Sequence, residues 1–280
     1  MLRFFAPLIA PFVGALFVLS LLWAIVMSPH APAIKLPAEQ FHLAPKDIHY
    51  SFEGPLGRYD NQQLQRGFQV YKEVCSACHS MRLVAFRDLE EIGFDKPEVK
   101  ALAKGWATET PSLNPDTGEA ATRKSLPSDY VPGPYPNEIA ARAGNNNALP
   151  PDMSLLAKAR EGGPAYIASI VTGYADVPPA MKKEFPDFTV PPGLHYNPYF
   201  ANLNIAMPPP LTSDGQVTYA DGTKATRQQM ATDVSAFLMW AAEPKLENRK
   251  RTGIAVVGYL IIATLLAFAA YRNIWHGKKH

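Results

Sequence analysis

Residues 74–80 read "VCSACHS" and hold the only two cysteines of a 280-residue chain, three apart, with His79 directly after the second. Several chemistries use such a pair. A structural zinc ion needs four ligands, usually from two such knuckles. This chain has no other cysteine, and its remaining histidines are scattered singly. A thioredoxin-like dithiol follows a strand and opens a helix in a βαβ pattern; here the pair falls at the end of a helical pattern. A disulfide across two intervening residues closes a loop too small to stabilise much. Cys-x-x-Cys-His is also the attachment signature of c-type haem. Two thiols on successive turns of one short helical segment can reach the two vinyl groups on one porphyrin edge. The next residue then points at the iron. On this reading Cys75 and Cys78 carry thioethers and His79 is the proximal ligand.

Working outward, "DNQQLQRGFQVYKEVCSAC" predicts a helix capped by Asp60, with Leu64, Phe68 and Tyr71 on one face. A second helix is predicted over 96–106. Residues 107–152 read mostly as loop, with a short helical piece at 137–143. "MSLLAKAR" and "GPAYIASIVTGY" read as two short helices separated by Gly162 and Gly163. Residues 177–211 are proline-punctuated loop, and "QVTYADGTKA" suggests a hairpin turned at Asp221 and Gly222. "TRQQMATDVSAFLMWAAEP" predicts a strong helix. Thr226 caps it, Met230, Val234, Phe237, Leu238 and Ala241 form its apolar stripe, and Pro244 follows its end. With 27 prolines, the chain reads as mainly α with long loop insertions.

Both ends are apolar. Residues 4–27 carry no charge over 24 positions, after Arg3. They fit a membrane span or a signal peptide cleaved near "APA" at 31–33. Residues 252–271 are also uncharged, preceded by "RKR" and followed by Arg272, Lys278 and Lys279, with Trp275 as an interfacial aromatic. That pattern reads as a C-terminal transmembrane anchor. Three segments follow: 1–33 signal peptide or signal anchor, 34–248 exported domain, 249–280 anchor with a short cytoplasmic tail. Between Pro29 and Pro244 there are 19 Lys and Arg against 24 Asp and Glu, whereas the flanks hold eight basic residues and one acid. Basic ends suit headgroups. The acidic body argues against nucleic acid and favours a basic protein partner.

The sixth iron ligand decides the use of a haem. An open site allows catalysis, whereas a Met sulfur makes a high-potential electron carrier. Met81 is too near His79 to reach the opposite face. Met230 and Met239 lie on the last helix of the domain, where a core role is expected. Met153 and Met181 are candidates, and His195 would give a bis-His haem. Met207 in "NIAMPPPL" is preferred, because Pro208, Pro209 and Pro210 stiffen the loop that carries it.

In order, "SFEGPLGRYDNQQLQRGFQVYKEVCSACHS", "RAGNNNALPPDMSLLAKAREGG", "GLHYNPYFANLNIAMPPPL", "VSAFLMWAAEPK" and the C-terminal anchor resemble the cytochrome c1 family, most of all its alphaproteobacterial members. That family supplies the haem subunit of the ubiquinol–cytochrome c oxidoreductase (bc1) complex. The resemblance implies a class I cytochrome c-type haem domain, its first and last helices crossed around the haem. It also implies one covalent haem c on Cys75 and Cys78, with His79 and Met207 as axial ligands. Arg160 and Tyr166 match residues near the haem propionates, and 146–152 match a haem-wall loop. The domain would face the periplasm from the bacterial inner membrane. It would take single electrons from the Rieske iron–sulfur protein, beside cytochrome b, and pass them to a cytochrome c, so that the isolated chain is no enzyme. Some bacterial members carry an extra disulfide before the methionine loop. This chain has no cysteine there, so prolines and packing must hold Met207. "RDLEEIGFDKPE" is a candidate docking patch. Two rivals stand beside this reading: a haem catalyst such as a peroxidase or nitrite reductase, and a stand-alone membrane-anchored shuttle.

Overall fold

The computed structural model describes residues 2–27 and 36–278. The cleavage-site reading at 31–33, most of the proline-rich lead and Lys279 lie outside the described residues. The chain divides into two compact units, 1–40 and 41–280. The first contains helix α1 (Leu2–Met27), whose stretch Ala10–Met27 is long and apolar enough to cross a membrane, and most of the short helix α2 (Pro37–Phe41).

The second unit is built on two helices far apart in sequence. Helix α3 (Asn61–Glu73) starts where the Asp60 side chain accepts the amides of Gln62 and Gln63, at 2.9 and 3.3 Å. It buries Leu64, Gly67, Phe68, Val70 and Tyr71. After it come a 3-10 turn (Cys75–Ala77), strand β1 (Met81–Ala85), a second 3-10 segment (Phe86–Ile92) and helix α4 (Lys96–Lys104). Strands β2 (Thr110–Leu113) and β3 (Ala120–Arg123) form an antiparallel hairpin, and β4 (Tyr130–Val131) pairs back onto β1 across a bulge. Helices α5 (Glu138–Gly144), α6 (Gly163–Thr172) and α7 (Pro179–Glu184) precede a small ladder of β5 (His195–Tyr196) and β6 (Asn204–Ile205). Helix α8 (Arg227–Ala242) is capped by Thr226, whose hydroxyl accepts the Gln229 amide at 3.1 Å. Helix α9 (Leu246–Trp275) follows after a three-residue break.

Helix α8 is the centre of the domain. Both α3 and α6 pack on it, and it is buried nearly all round rather than along one stripe. Two polar residues on it are fully buried, and both have partners. Asp233 accepts Arg66 Nε at 3.0 Å and Gln229 Nε2 at 2.9 Å, and Ser235 shares a 2.7 Å hydrogen bond with the Tyr50 hydroxyl. Where α3 meets α8, Gly67 lets the backbones touch. A Cβ there would stand 2.0 Å from the Asp233 carbonyl oxygen. Phe68, Tyr71, Trp106, Phe237 and Trp240 join in one aromatic cluster across this contact.

Three expectations need correction. The cysteine pair lies just past α3, on the 3-10 turn. "MSLLAKAR" forms successive turns rather than a helix: the Met153 amide is drawn to the Ser80 carbonyl at 2.8 Å, and Gly162 and Gly163, both at positive φ, close it off. The 216–225 hairpin is a turn without strands. Asp221 and Gly222 do make the turn, with the Thr223 amide on Asp221 Oδ1 at 2.9 Å. The other carboxylate oxygen of Asp221 accepts Arg66 NH1 at 2.8 Å, which pulls this arm onto α3 and out of a ladder.

Helix α9 has 30 residues, about 45 Å at 1.5 Å per residue, and is a candidate membrane span. Its first turns are fastened to the domain. Lys250 donates to the carbonyls of Phe52 and Gly54, both at 2.6 Å, and Glu247 accepts the Tyr59 amide at 3.0 Å. Arg249 pairs with Glu243. Part of the "RKR" cluster therefore faces protein rather than headgroups.

Candidate haem-binding site

The proximal side grows out of the end of α3. Helix α3 ends with the Val74 amide donating to the Val70 carbonyl at 2.9 Å. The chain then tightens, and the amides of Cys78 and His79 both donate to the Cys75 carbonyl, at 3.1 and 2.9 Å. This sets two sulfurs and an imidazole on one turn. Both cysteines are free thiols; Cys75 is half-buried and Cys78 exposed. Burial, and then the neighbouring Cys78, push the Cys75 thiol up to about 12, so it is a neutral S–H at ordinary pH.

His79 is buried, and its Nδ1 lies 2.9 Å from the Pro151 carbonyl oxygen. A carbonyl oxygen only accepts, so Nδ1 must carry the proton and Nε2 keeps its lone pair. Burial lowers the pKa of His79; the Pro151 hydrogen bond and the Asp152 charge oppose that but do not reverse it. The result is a neutral imidazole held in one tautomer, the state in which histidine binds a metal.

The carbonyl that orients His79 is itself held. Asp152 Oδ2 accepts the Ser80 hydroxyl at 2.8 Å and the Arg82 amide at 2.9 Å, while Oδ1 accepts the Ser154 amide at 3.0 Å. The Ser154 hydroxyl accepts the Leu83 amide at 3.0 Å, and the Met153 amide reaches the Ser80 carbonyl. Thus the 151–154 segment is stitched to β1 directly after the histidine. Burial pushes the Asp152 carboxyl up, but the bonds from Ser154, Arg82 and Ser80 outweigh it and hold the pKa below its usual value. From below, the buried Tyr71 hydroxyl donates to the His79 carbonyl at 3.2 Å.

Met207 stands on a separate loop, half-buried, two residues past β6. Met81, Met153, Met181 and Met230 are buried in the interior. The loop before Met207 turns through Leu203 at φ 65°, a left-handed residue held by the buried Asn197, whose amide donates to the Leu203 carbonyl at 2.8 Å. The Tyr174 hydroxyl donates to the Met207 carbonyl at 2.9 Å. His195 lies on β5 opposite Ile205, edge-on to the Tyr174 ring. Arg160 is exposed, and its charge reaches the half-buried Tyr166. Burial raises the Tyr166 phenol and Arg160 partly offsets the rise.

Sequence reasoning singled out the 146–152 stretch but gave no separate role to Asp152, Ser80 or Ser154. The Pro150–Pro151–Asp152 run could have drawn attention to Asp152. Tyr174 and Asn197 carry no local signal. The donor set fits a c-type haem: two free thiols beside a neutral, oriented imidazole, and a thioether on a braced loop. Asn204 Oδ1, three residues before Met207, is buried without a hydrogen-bond partner in the chain. A polar group supplied from outside the chain would satisfy it.

A helical domain that carries a Cys-x-x-Cys-His turn and continues into a helix long and apolar enough to cross a membrane has the layout of a c-type cytochrome. More narrowly, the chain belongs to the Cytochrome C1 family, whose model matches residues 50–278. The chain is 45% identical over 240 residues to the cytochrome c1 of Rhodospirillum rubrum, covering 82% of this chain and 87% of that one. It is 44% identical over 253 residues to the mitochondrial cytochrome c1 haem protein of Saccharomyces cerevisiae, covering 88% and 79%. It is 42% identical over 240 residues to the mitochondrial cytochrome b-c1 complex catalytic subunit of Candida albicans, covering 86% and 80%. The alphaproteobacterial relative agrees with the resemblance drawn from the motifs. Members of this family are haem-bearing electron-transfer proteins.

Proposed function

We propose that the chain relays single electrons from a Rieske iron–sulfur protein to a cytochrome c, as the haem subunit of a bc1 complex beside cytochrome b. Cys75 and Cys78 would hold one haem c covalently, His79 Nε2 would take its proximal face, and Met207 its distal face. When bound, the haem supplies a one-electron ferric/ferrous couple. The chain's own residues do the rest. Pro151 and Asp152 fix the imidazole, the proline-braced loop presents the thioether, and the aromatic cluster excludes water. Arg160 and Tyr166 would meet the carboxylates at the haem edge. On this reading the isolated chain is not an enzyme; it is the electron-transfer subunit of a quinol–cytochrome-c reductase.

The observation that carries the reading is the 2.9 Å contact between His79 Nδ1 and the Pro151 carbonyl, which selects the ligating tautomer. The name of the Candida albicans relative supports assembly with cytochrome b. Helix α9 would hold a domain of residues 34–248 on the periplasmic face of the bacterial inner membrane, with 249–280 as anchor. The acidic body would steer a basic cytochrome c, as a salt-dependent rate.

A reduced-minus-oxidised spectrum with a redox titration and a carbon monoxide challenge tests the relay. Closed iron gives a high potential and no monoxide adduct; strong monoxide binding to the native ferrous protein would instead favour a haem catalyst. Recovery from mild detergent without cytochrome b would favour a lone shuttle. Met207→Leu should keep the covalent haem yet lower the midpoint potential by on the order of hundreds of millivolts. An unchanged potential overturns the ligand assignment.

A further inference from the structure

The loop that carries Met207 is stiff but cannot fasten itself. Pro208, Pro209 and Pro210 have no amide hydrogen, so three successive residues donate nothing to a neighbouring backbone. Their carbonyls, and that of Met207, can only accept. A loop of this kind stays put only if side-chain donors reach it from elsewhere.

Two side chains do so, one at each end of the proline run. Tyr174 is the first residue after Gly173, the C-cap of α6. Its hydroxyl donates to the Met207 carbonyl at 2.9 Å and approaches the Pro208 carbonyl at 3.4 Å. At the far end, Gln216 Nε2 donates to the Pro210 carbonyl at 2.9 Å, and its Oε1 accepts the Thr212 amide at 2.9 Å. Gln216 is exposed, whereas the Tyr174 hydroxyl sits against partly buried backbone.

The position of Tyr174 is itself determined. Gly173 is packed so closely that a Cβ there would lie 2.4 Å from the Tyr199 ring and 2.6 Å from the Ser169 carbonyl. The Tyr174 ring then meets His195 edge-on, centroids 6.2 Å apart. Beyond it opens a cleft of about 480 Å³, lined by Tyr174, Val177, Val190, Leu194, His195 and Pro209 among others. The cleft leaves room into which the proline run could swing, so β6 pairing alone does not confine Met207.

We propose that Tyr174 is the positioning residue for Met207, its hydroxyl holding the Met207 carbonyl so that the thioether stays on the iron; this rests on the reading of Met207 as the distal ligand. No bond is made or broken in this role. The hydroxyl acts only on the balance between ligand-on and ligand-off forms of the loop. One partly buried hydrogen bond of this kind shifts such a balance by up to about tenfold.

The test compares Tyr174→Phe and Met207→Leu with the unsubstituted full-length protein in detergent. Three signals are followed: the weak near-infrared absorption of ferric iron bound to a Met sulfur, the rate of carbon monoxide uptake by the ferrous form, and unfolding by far-ultraviolet circular dichroism. Tyr174→Phe should keep its covalent haem and its unfolding temperature. Its Met–iron band should be lost at a lower temperature, and carbon monoxide uptake should rise by up to about tenfold. If Met207→Leu retains the band, the ligand reading itself fails. If Met207→Leu loses the band while Tyr174→Phe matches the unsubstituted protein in band and uptake, the positioning role alone fails. A Tyr174→Phe protein whose band loss and unfolding move together also overturns it, because the effect is then general stability. Should Tyr174→Phe not accumulate, Tyr174→Leu carries the test, since it removes the same hydroxyl. An earlier band loss at unchanged unfolding supports the proposal, and no change overturns it.

Discussion

Replacing Gly67 by alanine should drive α3 and α8 apart. The new Cβ would lie 2.0 Å from the Asp233 carbonyl oxygen and 2.7 Å from both its carbon and the Phe237 Cβ. Ordinary contact begins at 3.4 Å, so the helices must part locally by about 1.4 Å. Two of the three obstructing atoms are backbone, which cannot rotate away. Helix propensity works the other way and favours alanine by roughly 0.5–1 kcal/mol. Overpacking costs about 1–3 kcal/mol. Further loss comes from the Arg66–Asp233 pair, held at 3.0 Å across this contact; breaking such a buried pair outright costs roughly 3–5 kcal/mol, and a partial separation some part of that. The net expectation is a destabilisation of about 3 kcal/mol, or roughly 6–12 °C in Tm for a domain of this size. The measurement is thermal unfolding of the detergent-purified protein by circular dichroism. Gly258→Ala serves as control, since nothing lies within 4 Å of a Cβ at that point of α9. A Gly67→Ala protein that melts within the error of the control would refute the argument, because the backbone contact could then not be as close as described.

Asp152→Ala should release the 151–154 segment from β1 and weaken the Pro151 bond to His79. The midpoint potential should rise, since a less tightly bonded imidazole donates less to ferric iron. Ser154→Ala should shift the potential in the same direction by less, without removing a charge, and a potential that moves only in the aspartate variant would assign the effect to charge alone. Acid should weaken the loop before β4. The two bonds from Arg123 hold Asp129 at about 2, so its contribution is complete above the ordinary carboxylate range and fades as pH falls towards 2. Asp129→Asn should therefore melt earlier than the unsubstituted protein at neutral pH, with the gap closing on acidification; a gap independent of pH rules this linkage out.

What was legible in the sequence acts over short distances. Asp60 and Thr226 cap their helices through bonds to amides two or three residues away, so their spacing announces them. The Cys-x-x-Cys-His turn is local in the same sense, and the 20-residue uncharged stretch needs no partner to be recognised. What was not legible joins distant residues through groups without identity. His79 is oriented by a carbonyl 72 residues away, Met207 is held through its own carbonyl by a tyrosine 33 residues before it, and Tyr71 reaches the carbonyl of His79. Every residue has a carbonyl, so no residue type at position 151 or 207 signals the bond.

The same reasoning explains why "MSLLAKAR" misled. Its composition suits a helix, but its first amide is taken by the Ser80 carbonyl and its serine by Leu83 of β1, 71 residues before Ser154. Tertiary bonds of this kind override propensity where a segment's opening amides are needed elsewhere. The prolines around the site then acquire a second meaning. At 150–151 and 208–210 they stiffen the chain, but they also remove amides that could draw the segment into its own secondary structure. Their carbonyls are left free to accept from His79, Tyr174 and Gln216. Both proposed iron ligands are thus set by proline-rich backbone that accepts and cannot donate. That is a physical reason for a proline content this high in a domain whose core is helical.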